Sequence, residues 1–579
     1  MGNNSCLTYV QIADQANMDK VTAKIKDVRL NHLRDDEKRL KPQLFLHPMR
    51  KWRLETSFKN GVPDGGGLKY VWMFGIIGVF VLLLACINFM NLSTARSEKR
   101  AREVGIRKAV GSVRGQLIKQ FFSESLLVVI VAFMFSLLLV AIALPFFNTV
   151  TGKQMQMPWG NPLLWLSGIG ISVVTALIAG SYPACYLSSF QPVKVLKGTF
   201  RAGRYAAVPR KVLVVAQFSI SLLLIIGTMV VFKQIRHAQN RPVGYDRNGL
   251  VMLDMDTRPL MGHVDALEAE LLESGVITGL TAASSPITTV WSTQGDISWK
   301  GKPQELAVDW PNTVVRHGYG KVMGWQFVGG RDFSKQFASD SQAVVINQAA
   351  ASYMGMKNPV GETIRWNGSQ WTIIGVIKDI IAESPYVPVR ASLYNLNSQD
   401  VSMITMRVNP NVSMQRALAR IEEAVRHYDA AAVIGYKFID QDYAGKFADE
   451  QRIGKLVGFF AMLAVFICCL GLLGMASFMA ERRTREIGVR KVLGASVLNL
   501  WAMLSRDFLI LVSISIFIAM PIAYLLMRNW LAGYQYRSDI PWWIFVSAGG
   551  GVLLVTLLTV SFQSVKAALM NPVKSLRTE

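Results

Sequence analysis

Seven apolar stretches, each long enough to cross the roughly 30 Å of a bilayer's hydrocarbon as about 20 helical residues, dominate this sequence. They run near Tyr70 to Ser93, Leu117 to Phe147, Asn161 to Leu187, Lys211 to Phe232, Ile453 to Met479, Leu500 to Met527 and Trp542 to Lys566. No water reaches the bilayer core, so every backbone N–H and C=O there must be paired within the chain, and runs of this length can only be helices. Several exceed the minimum, which implies tilt or interfacial ends. With 51% apolar residues over 579 positions, an ordinary soluble enzyme is excluded.

The net charge of +23 would suit a nucleic-acid binder, but the charge lies beside the spans. Between the first two, Arg96, Lys99, Arg100, Arg102, Arg107, Lys108 and Arg114 face only Glu98 and Glu103. The linker Ser188 to Lys211 holds six Lys and Arg and no acid, Arg482 to Lys491 follows the fifth span, and Lys566, Lys574 and Arg577 close the chain. The alternate loops, Asn148 to Gly160 and Arg528 to Pro541, are nearly free of Lys and Arg. Positive loops stay inside, so the basic loops are cytoplasmic, and the N-terminus and the segment Lys233 to Glu450 are outside. Topology accounts for the charge, and no nucleic-acid partner is expected. The basic residues 1 to 69 would then be translocated by the first span. Cys86, Cys185, Cys468 and Cys469 fall within spans and Cys6 stands alone, which gives no disulfide framework or metal ligand set.

The chain repeats itself. Arg102-Glu-Val-Gly-Ile-Arg-Lys-Ala-Val-Gly111 matches Arg485-Glu-Ile-Gly-Val-Arg-Lys-Val-Leu-Gly494 in residue type, and Glu124 matches Asp507 at the same spacing. Pro192-Val-Lys-Val-Leu196 echoes Pro572-Val-Lys-Ser-Leu576. Each copy has three spans, a basic inner loop, a short outer loop and a basic exit. Ahead of each copy, Leu7 to Ile12 and Ile404 to Val408 read as strands, followed by amphipathic helices capped by Asn17 and Ser413. Met18, Val21 and Ile25 stand where Met414, Ala417 and Ile421 stand. The N-terminus therefore reads as the remnant of an outer domain that the second copy retains, with a preceding span and most of that domain missing on this reading. The retained domain mixes a helix at Val264 to Glu273 with strands at Ala343 to Ile346, Trp371 to Ile377 and Met403 to Val408, an α+β pattern.

The repeated element is the sharpest candidate. Glu103 precedes Arg107, and Glu486 precedes Arg490, at the favourable i,i+4 order, predicting a short amphipathic helix ended by Gly111 or Gly494 in the left-handed position. Such a helix between two spans can rest on a cytoplasmic partner and pass motion to both. Charge-setting for topology would not require the retained Glu and Gly. Glu124 and Asp507 lie a turn or two inside a span, where a carboxylate is costly unless paired; they read as structural braces for the adjacent basic loop, in preference to proton-coupling groups. Tyr182-Pro183 marks an expected kink in the third span. No phosphate loop, His-Glu-x-x-His or Cys-x-x-Cys is present, the six histidines lie outside the spans without ligand spacing, and Ser284 and Ser285 precede a proline as turn residues. No enzyme and no metal site is expected; if ATP drives this protein, another chain must bind it.

The duplicated three-span unit, its Arg-Glu-Val/Ile-Gly-Ile/Val-Arg-Lys-x-x-Gly element, Tyr-Pro-Ala with Pro-Val-x-x-Leu, and the outer Gly-Arg-Asp-Phe-Ser (330 to 334), Val-Val-Ile-Asn (344 to 347) and Asn-Pro-Val-Gly (358 to 361) together resemble the MacB/FtsX-type ABC permeases of the large double-unit type. The resemblance implies an α-helical membrane protein of the bacterial inner membrane with two FtsX-like units. These would be a first-domain remnant at 1–69, a first unit at 70–187 with its cytoplasmic loop at 96–116, and a basic linker at 188–210. A span at 211–232, a MacB-like outer domain at 233–450, a second unit at 453–566 with its loop at 480–499, and a tail at 567–579 would follow. Eight spans would be usual, and seven are present. It also implies a separate ATPase dimer carrying ATP and Mg, a second permease copy or paralogue, and a periplasmic adaptor and outer-membrane channel. Coupling to the ATPase would run through Arg102, Glu103, Gly105, Arg107, Lys108 and Gly111 and through Arg485, Glu486, Gly488, Arg490, Lys491 and Gly494. The substrate would be a lipoprotein, peptide, toxin or drug. An FtsX-like regulator of a periplasmic cell-wall hydrolase is the alternative, and an ion-coupled secondary transporter a third.

Overall fold

The computed structural model describes residues 8–32, 38, 41–55, 58–59, 61–63, 66–188, 208–255, 257–303, 305–306 and 308–569, and no side chain at 59, 94–102, 182–183, 185–188, 258, 482, 485 or 567–568. The Pro-Val-x-x-Leu echoes, Cys6, most of the 188–210 linker and most of the 567–579 tail lie outside the described residues. So do the side chains of Arg102, Arg485, Tyr182, Pro183 and Cys185.

The chain forms two compact units. One holds, among the described residues, seven helices long and apolar enough to cross a membrane. These are α1 (Leu68–Ala109), α2 (Arg114–Thr151), α3 (Pro162–Ser188), α4 (Val208–Gln239), α5 (Ala448–Arg482), α7 (Val497–Leu531) and α8 (Trp542–Leu569), with the short α6 (Thr484–Val492) between α5 and α7. All seven expected stretches are there, all but the third longer than the hydropathy suggested because polar turns continue those helices.

Helices α4, α5, α7 and α8 share one apolar core, in which Leu222, Ile226, Leu472, Val512, Ala519, Ile544 and Ala548 are buried. Hydrophobicity does not drive helices together in lipid, so small residues that let backbones approach must do so. A Cβ at Gly471 would stand 2.5 Å from Asn88 Oδ1, and one at Gly474 would stand 2.1 Å from the Leu92 side chain. Asn88 Nδ2 donates to the Ile467 carbonyl at 3.2 Å. Asn88 holds in the first repeat the place Gly471 holds in the second, so α1 and α5 cross at equivalent positions.

The other unit is α+β. Strands Leu250–Asp254, Ile277–Ala283, Met403–Val408 and Tyr436–Phe438 alternate with helices Val264–Glu273 and Met414–Tyr428. The order along the sheet is fourth, first, third, second, all antiparallel, a split βαβ ferredoxin-like arrangement. Both helices bury one stripe on the sheet, with Leu267, Leu271, Ile421 and Val425 against Leu253, Leu280, Ile404 and Met406. The second lobe enters between the second and third of these strands. It continues the sheet through Trp310–Val315, Leu393–Leu396, Ala343–Asn347 and Ser369–Ile377 to Thr363–Trp366 and Ile297–Trp299.

The three outer motifs are staples of this unit. Arg331 makes a two-pronged pair with Asp340, both bonds 2.7 Å, and Asp340 also accepts from the Ser334 amide at 2.9 Å. Buried Asn347 caps the helix Gln348–Met354 through the Ala350 amide and ties in Ser392 N–H and Arg390 C=O. Gly361 takes the left-handed φ of 93° and donates to the Ile373 carbonyl at 2.8 Å. Gly330 sits at φ 77° with an added Cβ only 2.2 Å from the Ile374 carbonyl, a backbone atom that cannot swing aside. Gly330→Ala therefore combines strain with overlap and is expected to destabilise this unit by about 3 kcal/mol or more. Limited proteolysis of the full chain reads it, as accelerated cleavage within residues 240–447.

One strand expectation fails. Thr8–Ile12 form no strand, although the cap at Asn17 is present, accepting from the Asp19 and Lys20 amides, and Met18–Ile25 is helical. Met403–Val408 is flanked by strands on both sides, whereas Tyr9 and Val10 are exposed with no ladder beside them among the described residues. A period-2 pattern without a partner backbone does not make a strand.

Candidate functional site

The two repeated elements end as their glycines dictate. Ser112 N–H bonds the Arg107 carbonyl and Gly111 N–H the Lys108 carbonyl; Ala495 and Gly494 repeat both bonds onto Arg490 and Lys491. This paired closure requires a left-handed residue, and Gly111 and Gly494 lie at φ 106° and 89°. The backbone then reverses into α2 and α7.

The expected pair of short helices is found only in the second copy. In the first, residues 103–109 are the end of the 42-residue α1. The break before α6 falls at Arg483, with φ −96° and ψ 12°. Thr484 Oγ1 there donates back to the Ala480 and Glu481 carbonyls, a competitor to helix bonds that bends helices. The first copy has Ala101 at this place and no such competitor.

Side chains sort the same way in both copies. Glu103 pairs with Arg107 at 2.7 Å and Glu486 with Arg490 at 2.8 Å. Val104 is buried with Leu117, Phe121 and Ala184, and Ile487 with Ala480, Leu500 and Leu504, so each element is pinned to the span that follows. Gly105 and Gly488 are buried beside these anchors. Arg107 donates to Gln120 Oε1 at 2.8 Å, and Arg490 lies against Met503 Sδ, its equivalent position. Burial and the neighbouring Arg114 charge pull the Lys108 ammonium below its ordinary pKa.

The two acids connect to the same region by different routes. Asp507 pairs directly with Arg483 at 3.2 Å, at the break between α5 and α6. Glu124 accepts from Gln120 Nε2 at 3.2 Å, and Gln120 in turn receives Arg107.

What the sequence reading missed is the outward face. Ile106 and Val110 are 52% and 83% exposed, and Val489 and Leu493 at the same repeat positions are 47% and 78% exposed. Each pair is one helical turn apart and flanked by Arg107 and Lys108 or Arg490 and Lys491. The signal was available: apolar residues stand on both sides of the turn in both copies, too many for one buried stripe. Four spans, α2 to α5, separate the two elements along the chain, which places both on one face of the membrane. Each is thus an exposed apolar ridge in a basic rim, rooted in two spans.

Comparison with known proteins gives this arrangement its context. Residues 75–192 and 458–572 match the FtsX-like permease C-terminal family, and residues 212–424 match the MacB-like periplasmic core domain. The chain is 25% identical over 297 residues to the uncharacterized ABC transporter permease YknZ of Bacillus subtilis, covering 49% of this chain and 73% of that one. It is 24% identical over 341 residues to the macrolide export ATP-binding/permease protein MacB of Bdellovibrio bacteriovorus, covering 53% of this chain and about half, 51%, of that one. The crystal structure of the periplasmic region of MacB from Actinobacillus actinomycetemcomitans covers 36% of this chain and 96% of its own length, at 15% identity and a TM-score of 0.27. The core-domain match puts residues 240–447 outside and the two Gly-ended elements inside, as the charge distribution requires. With seven apolar helices, two FtsX-like units and one MacB-like periplasmic core domain in a multi-pass inner-membrane protein, this chain belongs to the MacB/FtsX-type ABC transporter permeases.

Proposed function

We propose that this permease takes up the stroke of a separate ATPase dimer, which binds ATP and Mg, and relays it to its outer domain to export or extract a lipoprotein, peptide, toxin or drug. The observation that carries the reading is the equivalence of the two cytoplasmic elements. Both keep an internal ion pair, a buried anchor and an exposed apolar ridge, and both turn back into the next span at a left-handed glycine. Two such elements match the two protomers of an ATPase dimer one to one, one ATPase facing each unit, and a second permease copy or paralogue is a further proposed partner. A periplasmic adaptor and an outer-membrane channel would receive the cargo outside. An element fixed at its base by Val104 or Ile487 cannot absorb a push locally, so displacement passes to α1 with α2, and to α5 with α7.

The test is charge reversal within the ion pairs. Glu103 and Glu486 are half-exposed, so breaking either pair removes only about 0.3–0.5 kcal/mol and leaves the fold intact. Glu103→Lys or Glu486→Lys is expected to leave membrane insertion and ATP hydrolysis in place while transport per ATP falls about tenfold, a coupling loss of the usual size. Equal transport per ATP in both variants would remove the relay.

A further inference from the structure

A polar cleft of about 810 Å³ lies in the outer unit, formed by residues 240–248 with Lys378, Asp379 and Tyr536. Its first lining residue, Asn240, directly follows Gln239, the last residue of α4, so the cleft begins where the chain leaves the membrane on the outer side. Three cations line it, Arg241, Arg247 and Lys378, against two acids, Asp246 and Asp379.

Both acids are already engaged. Asp246 pairs with Arg407 at 2.7 Å, and Asp379 Oδ1 accepts the Ala349 amide at 2.8 Å. The cations are held in place by groups that leave their charge uncancelled. Arg241 donates to the carbonyls of Pro385 and Val387 at 2.8 and 2.9 Å and lies 4.3 Å over the Tyr536 ring. Arg247 lies 4.7 Å over the Tyr443 ring. Lys378 is exposed at the rim. The floor is rigid: Gly244 sits at φ 83° with its would-be Cβ 2.1 Å from the Asp379 carbonyl, so this loop is pressed against its neighbour. Guanidinium groups pre-positioned by stacking and carbonyl bonds lose little freedom on binding and match phosphate geometry.

We infer that this cleft binds a phosphate-bearing anion, with the headgroup of an anionic phospholipid or other phosphate amphiphile in the outer leaflet as its source. Asn240 and Arg241 follow directly on α4 along the chain, and Tyr536 is an amphipathic ring of the kind enriched at membrane interfaces. The site stands on the outward placement of this unit and is independent of ATPase docking.

The test uses the full chain in detergent after delipidation, titrated by calorimetry with dihexanoyl phosphatidylglycerol, dihexanoyl phosphatidylcholine and inorganic phosphate. The anionic lipid is expected to bind at least tenfold more tightly than the zwitterionic one, and Arg247→Gln with Lys378→Gln to remove that preference. Lys378→Glu alone, at an exposed position that the fold does not use, should weaken the anionic lipid severalfold and Lys378→Arg should not. Inorganic phosphate binding as tightly as the anionic lipid, and lost in the same double variant, would keep the anion site and assign it to a soluble phosphate. Equal binding of the two lipids, or wild-type affinity in the double variant with an unchanged unfolding temperature, overturns the inference.

Discussion

Val110→Asp combined with Leu493→Asp is expected to abolish ATP-driven transport in a chain that still folds and inserts. The two side chains are the most exposed apolar groups of the two cytoplasmic elements, and neither contributes to the anchors at Val104 and Ile487. Surface changes of this kind stay within about 0.5 kcal/mol, plus a few tenths for an acid near a helix C-terminus. At an interface the same change is severe, because each apolar knob leaves its pocket and a charge must be desolvated. With about 2 kcal/mol at each of two such contacts, the combined loss is about 4 kcal/mol, roughly a thousandfold in affinity. Co-purification of the ATPase measures it directly, and either single variant should retain partial binding. ATPase recovered in wild-type proportion with the double variant, with transport intact, would show that the ridges face solvent and not a partner.

Those ridges also mark where reading the sequence stopped short. The i,i+4 ion pairs and the glycine closures were legible because each depends on residues within one or two turns of one another, the spans because each is one continuous apolar run, and the repeat because its two copies match in residue type. The helix Val264–Glu273 and the strand Met403–Val408 fall on their expected bounds because the local residue pattern of each agrees with its element. The exposed pairs left a signal, apolar residues on both sides of the turn, but an amphipathic reading assigns every apolar residue to the buried side, and the fold shows which face is which: Val104 faces in while Ile106 and Val110 face out. The difference between the copies hung on one hydroxyl, Thr484 against Ala101, which no periodicity reports. Thr8–Ile12 failed as a strand because pairing is supplied by distant chain. The cation-lined cleft was invisible for a related reason: Arg247, Lys378 and Tyr536 are brought together only by tertiary structure.

Arg331→Met is expected to destabilise the outer unit more than Asp340→Ala does, although the two remove the same ion pair. Asp340 is 1% exposed and Arg331 is 37% exposed. Without the guanidinium, a carboxylate stays buried with the Ser334 amide donating to it and no countercharge from Arg331, which costs about 3–5 kcal/mol. Without the carboxylate, Arg331 can turn to water, stacked as it already is on Phe337 at 3.9 Å, and the loss is nearer 2 kcal/mol, mainly the unsatisfied amide. The double variant should then be less damaged than the two singles together predict, since no buried charge is left. The pair also sets a pH dependence. Burial pushes the Asp340 carboxyl up, and the Arg331 bonds, the Ser334 amide and the guanidinium charge outweigh it, so its pKa lies below the ordinary carboxylate value. A folded-state pKa below the unfolded value of about 3.9 means that this stabilisation is fully present above that pH and is lost as pH falls through the folded value. Hydrogen exchange at Ala343–Asn347 in the full chain, followed from pH 6 down to about 3, should accelerate at the acid end in wild type and lose that component in Asp340→Ala. An acid-end acceleration of the same size in both would place the sensitivity on another carboxylate and leave Asp340 a structural residue without linkage to pH.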